Sequence, residues 1–360
     1  MKKKVTFLLP GIANRPIGGY KVVYEYANRL VEDGFDVDIV YPAYLYVKQK
    51  SWIVGFVKVI KACLKFLYCT ITKMHSCKGW FELDKRVKEC LRPALNEVWC
   101  PKSDVIFATS VRTAFYLNEY KRTSSKFYLI QAYEAWQEIT DERLIETYKY
   151  PLKKIVISKW LYDIVSQYDA GCQLIPNGFD FEFFKRTVKN EERDKYRVAM
   201  MYHTLDLKGC DDGFAALNLV KRRYPELKVS LFGVYPAPEN LPDWITYYRQ
   251  PGKELLNEIY NTSAIFIATS WSEGWGLTVG EAMMCGCAVA CTDNDGYKEM
   301  AIDGTTALLS PIKNPVALAE NIIKLIENDS LRFELSEHGY ENIKKFNWED
   351  SYSKLKSCLN

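Results

Sequence analysis

Two glutamates, Glu273 and Glu281, frame a glycine-rich turn in the second half of the chain. The segment reads Glu-Gly-Trp-Gly-Leu-Thr-Val-Gly-Glu and follows a short apolar run that predicts a buried strand. Gly274 and Gly276 allow the backbone to approach a ligand closely, and a helix is predicted to begin at Leu277. The free N–H groups at the start of such a helix suit a phosphate group. Glu281, about one turn in, can accept a hydrogen bond from a sugar or ribose hydroxyl, and Glu273 can contact a group being transferred.

The elements that position this turn alternate between strand and helix. Residues 4–9 form an apolar run, 10–19 a loop with Pro and Gly, 20–33 a helical pattern that stops at Gly34, and 36–41 another strand. This order makes a βαβ unit and hence a parallel sheet. Further strands are predicted at 105–108, 127–131, 154–158, 198–202, 228–232, 264–268 and 288–292, and helices at 213–223, 253–261 and 315–327.

The alternation predicts an α/β protein with two doubly wound, Rossmann-like domains. In such sheets ligands bind beyond the carboxyl ends of the strands, so we expect the site in a cleft between the domains. Residues 171–180 combine an apolar edge with turn-forming residues, which indicates a boundary. We therefore expect an N-terminal domain of 1–174 and a C-terminal domain that begins at 175.

Length, composition and charge agree with this division. The 360 residues suit two domains, and 48% hydrophobic with 26% charged residues indicates a folded globular protein. A net charge of +3 argues against a nucleic-acid-binding protein. The charge is uneven, because residues 1–175 carry 27 Lys and Arg against 18 Asp and Glu, and the remainder 21 against 27. The two domains are therefore expected to meet different partners.

The eleven cysteines are scattered and include no CxxC pair, which favours reduced thiols in a cytoplasmic protein. The apolar run after the basic N-terminus is too short for a secretory signal, in agreement with that location. Cys285, Cys287 and Cys291 lie close together without a fourth ligand, so we expect them to pack beside a strand and not to bind a metal.

Two pairs of aspartates have the spacing of metal ligands. Asp36 and Asp38 are better explained by an edge strand, and Asp293 and Asp295 by a turn after a strand. We therefore predict neither a metal nor a cofactor.

The segment 51–73 is apolar except for Lys58, Lys61 and Lys65, which fall on one helical face. Three central lysines make a membrane-spanning helix costly, at about 2.5–3.5 kcal/mol each. A basic amphipathic helix can instead lie on an anionic membrane surface. The alternative is a helix packed on its own domain with a solvated row of lysines. The positive N-terminal half favours the membrane, which predicts a peripheral protein on the inner face of the cell membrane.

The glutamate turn resembles that of retaining glycosyltransferases of the GT-B fold, in the large family 4, whose E-x7-E motif it matches at Glu273 and Glu281. The resemblance continues into Met284-Cys-Gly-Cys-Ala-Val-Ala-Cys-Thr292, although Ala288 replaces the family's proline. It is strong from about residue 175 onward and looser before that. Other family-like segments are 10–19, 175–180, Leu207-Lys208-Gly209 and 346–349. In the family, the last helix crosses back to the N-terminal domain, which implies a C-terminal domain of 175–343 and a crossing helix at 344–360.

The resemblance implies a nucleotide-sugar donor as co-substrate. Glu281 would hold its ribose, Glu273 its sugar, and Lys208 would neutralise the leaving diphosphate, an arrangement that is chemically coherent. The remaining residues implied in donor binding are Gly18, Gly19, His203, Gly209, Tyr248, Arg249, Gln250, Gly274, Trp275, Gly276, Leu277 and Thr278.

One departure from the family pattern concerns the phosphate site. The family places Gly-Arg five to six residues before the lysine, where this chain has Tyr202 and His203. We expect His203 to donate one hydrogen bond, or other residues to supply the missing charge; a structural histidine at a strand end is the alternative.

The acceptor is expected at the N-terminal domain. Gln131 and Glu134 follow a predicted strand of that domain, and an exposed loop carboxylate is the alternative for Glu134. The basic half suits an anionic acceptor such as a polyprenyl-diphosphate-linked glycan. No side chain is identified as a nucleophile. In the family, the leaving phosphate oxygen is thought to deprotonate the acceptor.

The sequence thus predicts a metal-independent hexosyl- or deoxyhexosyltransferase of cell-surface polysaccharide synthesis. Three alternatives are a glycan phosphorylase, a dinucleotide oxidoreductase, and an inactive homologue that serves as a membrane-associated binding partner. A dinucleotide enzyme is weakened by the lack of G-x-G-x-x-G after the first strand.

Overall fold

The computed structural model describes residues 2–12, 14–45, 52–72, 77–123, 125–135 and 139–359. The predicted loop at 10–19 includes Ala13, and the segment 51–73 includes Ser51 and Lys73. These three residues lie outside the described part of the chain. The chain divides into two compact units. The first comprises Met1–Pro176 with Tyr352–Asn360, and the second Asn177–Ser351.

The described residues of the first unit form a seven-stranded parallel sheet in the order β3-β2-β1-β4-β5-β6-β7. Its strands are β1 (Lys4–Leu8), β2 (Asp36–Pro42), β3 (Lys88–Arg92), β4 (Val105–Ala108), β5 (Ser125–Ile130), β6 (Lys153–Val156) and β7 (Gln173–Leu174). The central strands are buried on both faces, as is typical of a parallel sheet covered by helices. The strand order reverses between β1 and β4, which creates a crevice at their carboxyl ends.

Helices connect these strands. They are α1 (Gly18–Glu32), α2 (Trp52–Thr72), α3 (Val111–Asn118), α4 (Asp141–Tyr148) and α5 (Lys159–Val165). The α3 helix begins with a capping box, in which Ser110 accepts a hydrogen bond from the backbone of Thr113 and Thr113 accepts one from the backbone of Ser110. No described helix is both long enough and apolar enough to cross a membrane.

The second unit has a six-stranded parallel sheet in its described residues, in the order β10-β9-β8-β11-β12-β13. Its strands are β8 (Arg197–Tyr202), β9 (Lys228–Gly233), β10 (Ile245–Arg249), β11 (Ile265–Ala268), β12 (Ala288–Thr292) and β13 (Ala307–Ser310). Its helices are α6 (Cys210–Arg223), α7 (Lys253–Thr262), α8 (Leu277–Met284), α9 (Pro315–Glu327) and α10 (Asp329–Ile343). The order reverses between β8 and β11, so the carboxyl ends of these two strands define the crevice of this unit.

The last helix, α11 (Trp348–Leu359), begins in the second unit and ends in the first. In the first unit, the hydroxyl of Tyr352 donates to Asp33 Oδ2 at 2.5 Å, and Lys356 Nζ lies 2.6 Å from the same oxygen. These contacts anchor the end of α11 beside the end of α1.

The predicted doubly wound architecture is confirmed in both units. Four strands that the sequence patterns did not predict, β3, β7, β10 and β13, lie at the outer edges of the sheets. The expectation that Asp36 and Asp38 lie on an edge strand is wrong, because β3 pairs with β2 on its outer side. The two carboxylates instead pair with lysines, since Lys88 Nζ lies 2.8 Å from Asp36 and Lys4 Nζ lies 2.8 Å from Asp38.

All eleven cysteines are free thiols. Cys285, Cys287 and Cys291 are buried, and burial raises the pKa of the Cys287 thiol to about 11. The Cys287 thiol donates to the carbonyl of Tyr260 at 3.1 Å, so it is packed against backbone. Cys63, on α2, is exposed, whereas the other ten cysteines are buried or partly buried.

Candidate functional site

The glutamate turn lies between β11 and α8, at the carboxyl edge of the second sheet. Its geometry depends on Gly276, the residue before α8, which has a φ of +91°. A Cβ atom at Gly276 would lie 2.5 Å from the ring of Tyr297, which is buried behind the turn. Only glycine fits both the backbone conformation and the space. The predicted helix start at Leu277 is confirmed, so the backbone N–H groups of Leu277 and Thr278 stand in the first turn of α8.

Lys208 and Glu273 form an ion pair at this edge. Lys208 ends a 3-10 turn after β8, and its Nζ lies 2.6 Å from Glu273 Oε1. The hydroxyl of Ser270 donates to the same oxygen at 2.7 Å. The side chains of Lys208 and Glu273 are 22% and 17% exposed, so the pair is half-buried but open to solvent.

Backbone contacts fix the two loops that carry this pair. The hydroxyl of Thr269 donates to the carbonyl of Lys208 at 2.7 Å, and the backbone N–H of Trp271 donates to the carbonyl of Leu207 at 2.7 Å. Gly209 has a φ of +58°, and a Cβ there would lie 2.1 Å from the carbonyl oxygen of Thr269. The position of Lys208 is therefore set by loop contacts that tolerate no side chain at the next residue.

Glu281 lies on α8, one turn after its start, and is only 6% exposed. The hydroxyl of Tyr260 donates to Glu281 Oε2 at 3.2 Å. Burial, with the charge of Glu281 beside it, raises the pKa of Tyr260 well above its usual range, so this hydroxyl remains a donor. Glu281 is thus held in place by a buried phenol.

Trp275 supports the turn from inside. Its indole is 3% exposed and packs between Phe179, at 6.4 Å between ring centroids, and Phe346, at 5.1 Å. The Trp275 side chain is therefore not an open platform for a sugar ring. The part of Gly274–Gly276 that a ligand can reach is its backbone.

His203 follows β8 directly and is held in one orientation. Its Nδ1 accepts a hydrogen bond from the backbone N–H of Leu205 at 3.0 Å, and its ring packs edge-on against Tyr235 at 4.7 Å. Because Nδ1 is an acceptor, the neutral ring carries its proton on Nε2, as assigned from this hydrogen bond. His203 can then donate one hydrogen bond without carrying a charge.

Tyr248 and Arg249 end strand β10, which the sequence patterns did not predict. Arg249 pairs with Gly233, and Gly233 with Tyr202, so these residues lie level with each other across three strands. Gln250 has a φ of +48°, and its backbone N–H donates to the carbonyl of Gly233 at 2.6 Å. A non-glycine residue in this conformation is strained, and such strain is common at ligand sites.

The first unit has its own group of predicted site residues at the carboxyl edge of its sheet. Gly18 and Gly19 form the first turn of α1, and Gln131, just after β5, donates through Nε2 to the carbonyl of Gly19 at 3.2 Å. Glu134 Oε2 accepts from the backbone N–H of Val111, at the start of α3, at 2.5 Å. Burial raises the pKa of Glu134 to about 7, although the Val111 N–H opposes the shift. Gln131 and Glu134 therefore belong to one edge, and Glu134 is not an exposed loop carboxylate.

Sequence patterns did not identify Ser270, Tyr260 or Val111, which contact the predicted site residues. Ser270 lies three residues before Glu273, so its proximity could have been inferred from spacing. Tyr260 and Val111 come from other elements, and no local pattern indicates them.

Residues 182–342 match the family described as glycosyl transferases group 1. An uncharacterized glycosyltransferase of Methanocaldococcus jannaschii is 42% identical over 86 residues, 24% of each chain. The O-antigen chain mannosyltransferase B of Escherichia coli is 30% identical over 107 residues, 30% of this chain and 28% of the relative. This chain thus spans about a quarter of the length of these curated relatives.

The solved structure of Anabaena HepE in complex with UDP and glucose is similar over the whole chain. Its TM-score is 0.73 at 13% sequence identity, and the match covers 99% of both chains. The structural neighbours have the GT-B fold, and this chain has the same fold.

Proposed function

We propose that this protein is a retaining glycosyltransferase that moves a sugar from a nucleoside-diphosphate donor to a glycan or lipid-linked acceptor in cell-surface polysaccharide synthesis. The observation that carries the proposal is the Lys208–Glu273 pair beside the start of α8. One cation and a row of backbone N–H groups lie at one edge of the sheet, where a diphosphate is the ligand that satisfies both. The match to group 1 glycosyl transferases over residues 182–342 supports transfer of a glycosyl group.

In this mechanism, the diphosphate of the donor lies against the N–H groups of Leu277 and Thr278. Lys208 exchanges its bond to Glu273 for a phosphate oxygen, and it neutralises charge that develops as the bond to the sugar breaks. Stabilising such charge with preorganised donors is the largest contribution to catalysis in many enzymes. Glu273, released from Lys208, accepts hydrogen bonds from sugar hydroxyls, and Glu281 accepts from the ribose.

Retention follows if the leaving phosphate oxygen deprotonates the acceptor on the same face of the sugar. The lysine and the helix start then supply the positive potential that a metal ion would otherwise provide, so the proposed reaction needs no metal. The acceptor binds at the first unit, whose excess of Lys and Arg suits an anionic, lipid-linked glycan. Gln131 and Glu134 are proposed to contact its hydroxyl groups.

The test is a thermal-shift screen with nucleoside diphosphates and their sugars, followed by transfer assays with the donor that stabilises best. A donor at a hundred times its Kd stabilises the folded protein by about 2.7 kcal/mol. We expect one nucleotide class to raise the melting temperature, and Glu281→Gln to weaken that shift through loss of the ribose contact. Glu320→Gln, at an exposed glutamate of α9, is the matched control and should keep the full shift.

Two results would contradict the proposal. Phosphate-dependent cleavage of a glycan without any nucleotide would indicate a phosphorylase. Absence of both binding and transfer across all common donors would indicate an inactive homologue.

A further inference from the structure

Helix α2 leaves a row of large apolar side chains uncovered on its described residues. Each lies three or four positions from another member of the row, so all of them share one face of the helix. We call them the α2 stripe, and their exposed fractions are Val57 45%, Ile60 43%, Leu64 64%, Leu67 57%, Tyr68 59% and Ile71 73%. Contiguous exposed apolar surface of this kind marks an interaction site.

The opposite face of α2 packs on its own unit. Ala62 is fully buried and Cys69 is 2% exposed, and the helix lies against the edge strand β3. Among the side chains that the structure describes, the helix is therefore held through small residues on one face, while the large side chains of the α2 stripe are exposed. A helix that served only to cover the sheet would bury its large side chains and expose its polar ones.

The lysines of α2 run along the flank between these two faces. Lys61 and Lys65 are exposed and Lys58 is partly exposed. The helix contains no aspartate or glutamate. A second copy of this helix would bring lysines against lysines, whereas an anionic surface would neutralise them. Charge complementarity thus favours an anionic lipid surface over self-association.

We propose that the α2 stripe docks on an anionic lipid bilayer surface. The 21-residue helix, about 30 Å long, lies in the plane of the interface with the stripe at the level of the upper acyl chains. Lys58, Lys61 and Lys65 contact the headgroups along one side. This inference extends the proposed function, and its link to the acceptor rests on that function: a lipid-linked acceptor would be met where the first unit touches its membrane.

The test is sedimentation of the full chain with vesicles of phosphatidylcholine, with and without phosphatidylglycerol. We expect binding to the anionic vesicles that weakens with salt. Leu64→Glu with Ile71→Glu should reduce it by about tenfold or more, and Lys61→Glu with Lys65→Glu by roughly fivefold per lysine. Val316→Glu, on an exposed valine of α9, and Lys354→Glu, on an exposed lysine of α11, are the matched controls and should bind like the native chain.

Several outcomes would overturn the inference. They are no binding of the native chain to either vesicle, equal binding to both, or equal losses in the controls. Concentration-dependent dimers in analytical ultracentrifugation that Leu64→Glu abolishes would make a second copy the occupant. Transfer to a water-soluble acceptor, measured in parallel, separates this inference from the proposed function, because the stripe variants should keep that activity.

Discussion

Lys208 and Glu273 meet from neighbouring strands, with Nζ of the lysine 2.6 Å from Oε1 of the glutamate. Lys208 follows β8 and Glu273 follows β11, the two strands between which the sheet order reverses. Ser270 shares the same carboxylate oxygen. The cation is therefore oriented before any ligand arrives, and an incoming anion has only to take the place of a carboxylate.

Removal of this cation should abolish most of the catalysis without unfolding the chain. Lys208→Met keeps the length of the side chain, and we expect kcat to fall about a hundredfold to a thousandfold, as is typical when a charge-stabilising group is lost. Steady-state kinetics measure the change, with circular dichroism to confirm the fold. Lys344→Met is the matched control, because Lys344 forms a similar 2.6 Å ion pair with Glu341 on α10. Unchanged turnover of Lys208→Met would remove this residue from the mechanism.

Gly276→Ala should destabilise the second unit. The substitution combines a left-handed backbone with a Cβ 2.5 Å from Tyr297, and we expect a loss of about 3 kcal/mol in the free energy of unfolding. Gly304→Ala is the control, since its φ is +65° and no atom lies within 4 Å of the new Cβ. It should cost only about 1 kcal/mol. Urea unfolding of both variants gives the comparison, and equal losses would show that the Tyr297 contact is unimportant.

His203→Asn should separate two roles of the ring. The asparagine oxygen can take the place of Nδ1 and accept from the Leu205 N–H, but the variant lacks the Nε2 donor. If Nε2 donates to the diphosphate, KM for the donor should rise roughly tenfold while the melting temperature stays the same. His203→Ala loses both roles and should also lower the melting temperature. A normal KM in His203→Asn would leave His203 with a structural role alone.

Glu134 should make stability depend on pH in an unusual direction. Its pKa is raised from 4.5 to about 7, so the folded state keeps a proton that the unfolded state releases. The free energy of unfolding should therefore fall as the pH rises from about 4.5 to about 7, by about 3 kcal/mol. Glu134→Gln should remove this part of the slope in urea unfolding measured across the window. Glu142→Gln, at an exposed glutamate of α4, should retain it. An identical slope in native and Glu134→Gln proteins would assign the effect to other groups.

The sequence was sufficient for features that depend on local patterns. The turn from Glu273 to Glu281 and the helix start at Leu277 follow from glycine spacing and apolar periodicity, and both sheets follow from the alternation of elements. The residues that contact the site residues could not be predicted from these local patterns. Tyr260 reaches Glu281 from α7, and Val111 reaches Glu134 from α3, so these contacts exist only once the strands have paired.

The direction in which side chains point could not be predicted from the sequence either. Trp275 stands between two glycines, as an exposed ligand platform would, but Phe179 and Phe346 enclose it. On α2, the three lysines were visible in the sequence, whereas exposure of the large apolar face depends on small residues, Ala62 and Cys69, packing against the unit. Periodicity gives the faces of a helix but not which one its neighbours cover.

The free thiol of Cys63 provides a reporter that requires no engineering. It is the exposed cysteine of the chain, and it precedes Leu64 of the α2 stripe. The other cysteines are buried or partly buried, and burial raises the pKa of several of their thiols, which slows their reaction with electrophiles. A thiol-reactive, polarity-sensitive fluorophore added in limiting amount should therefore label Cys63 on this helix first. Its emission would follow the helix from water to any surface that it meets.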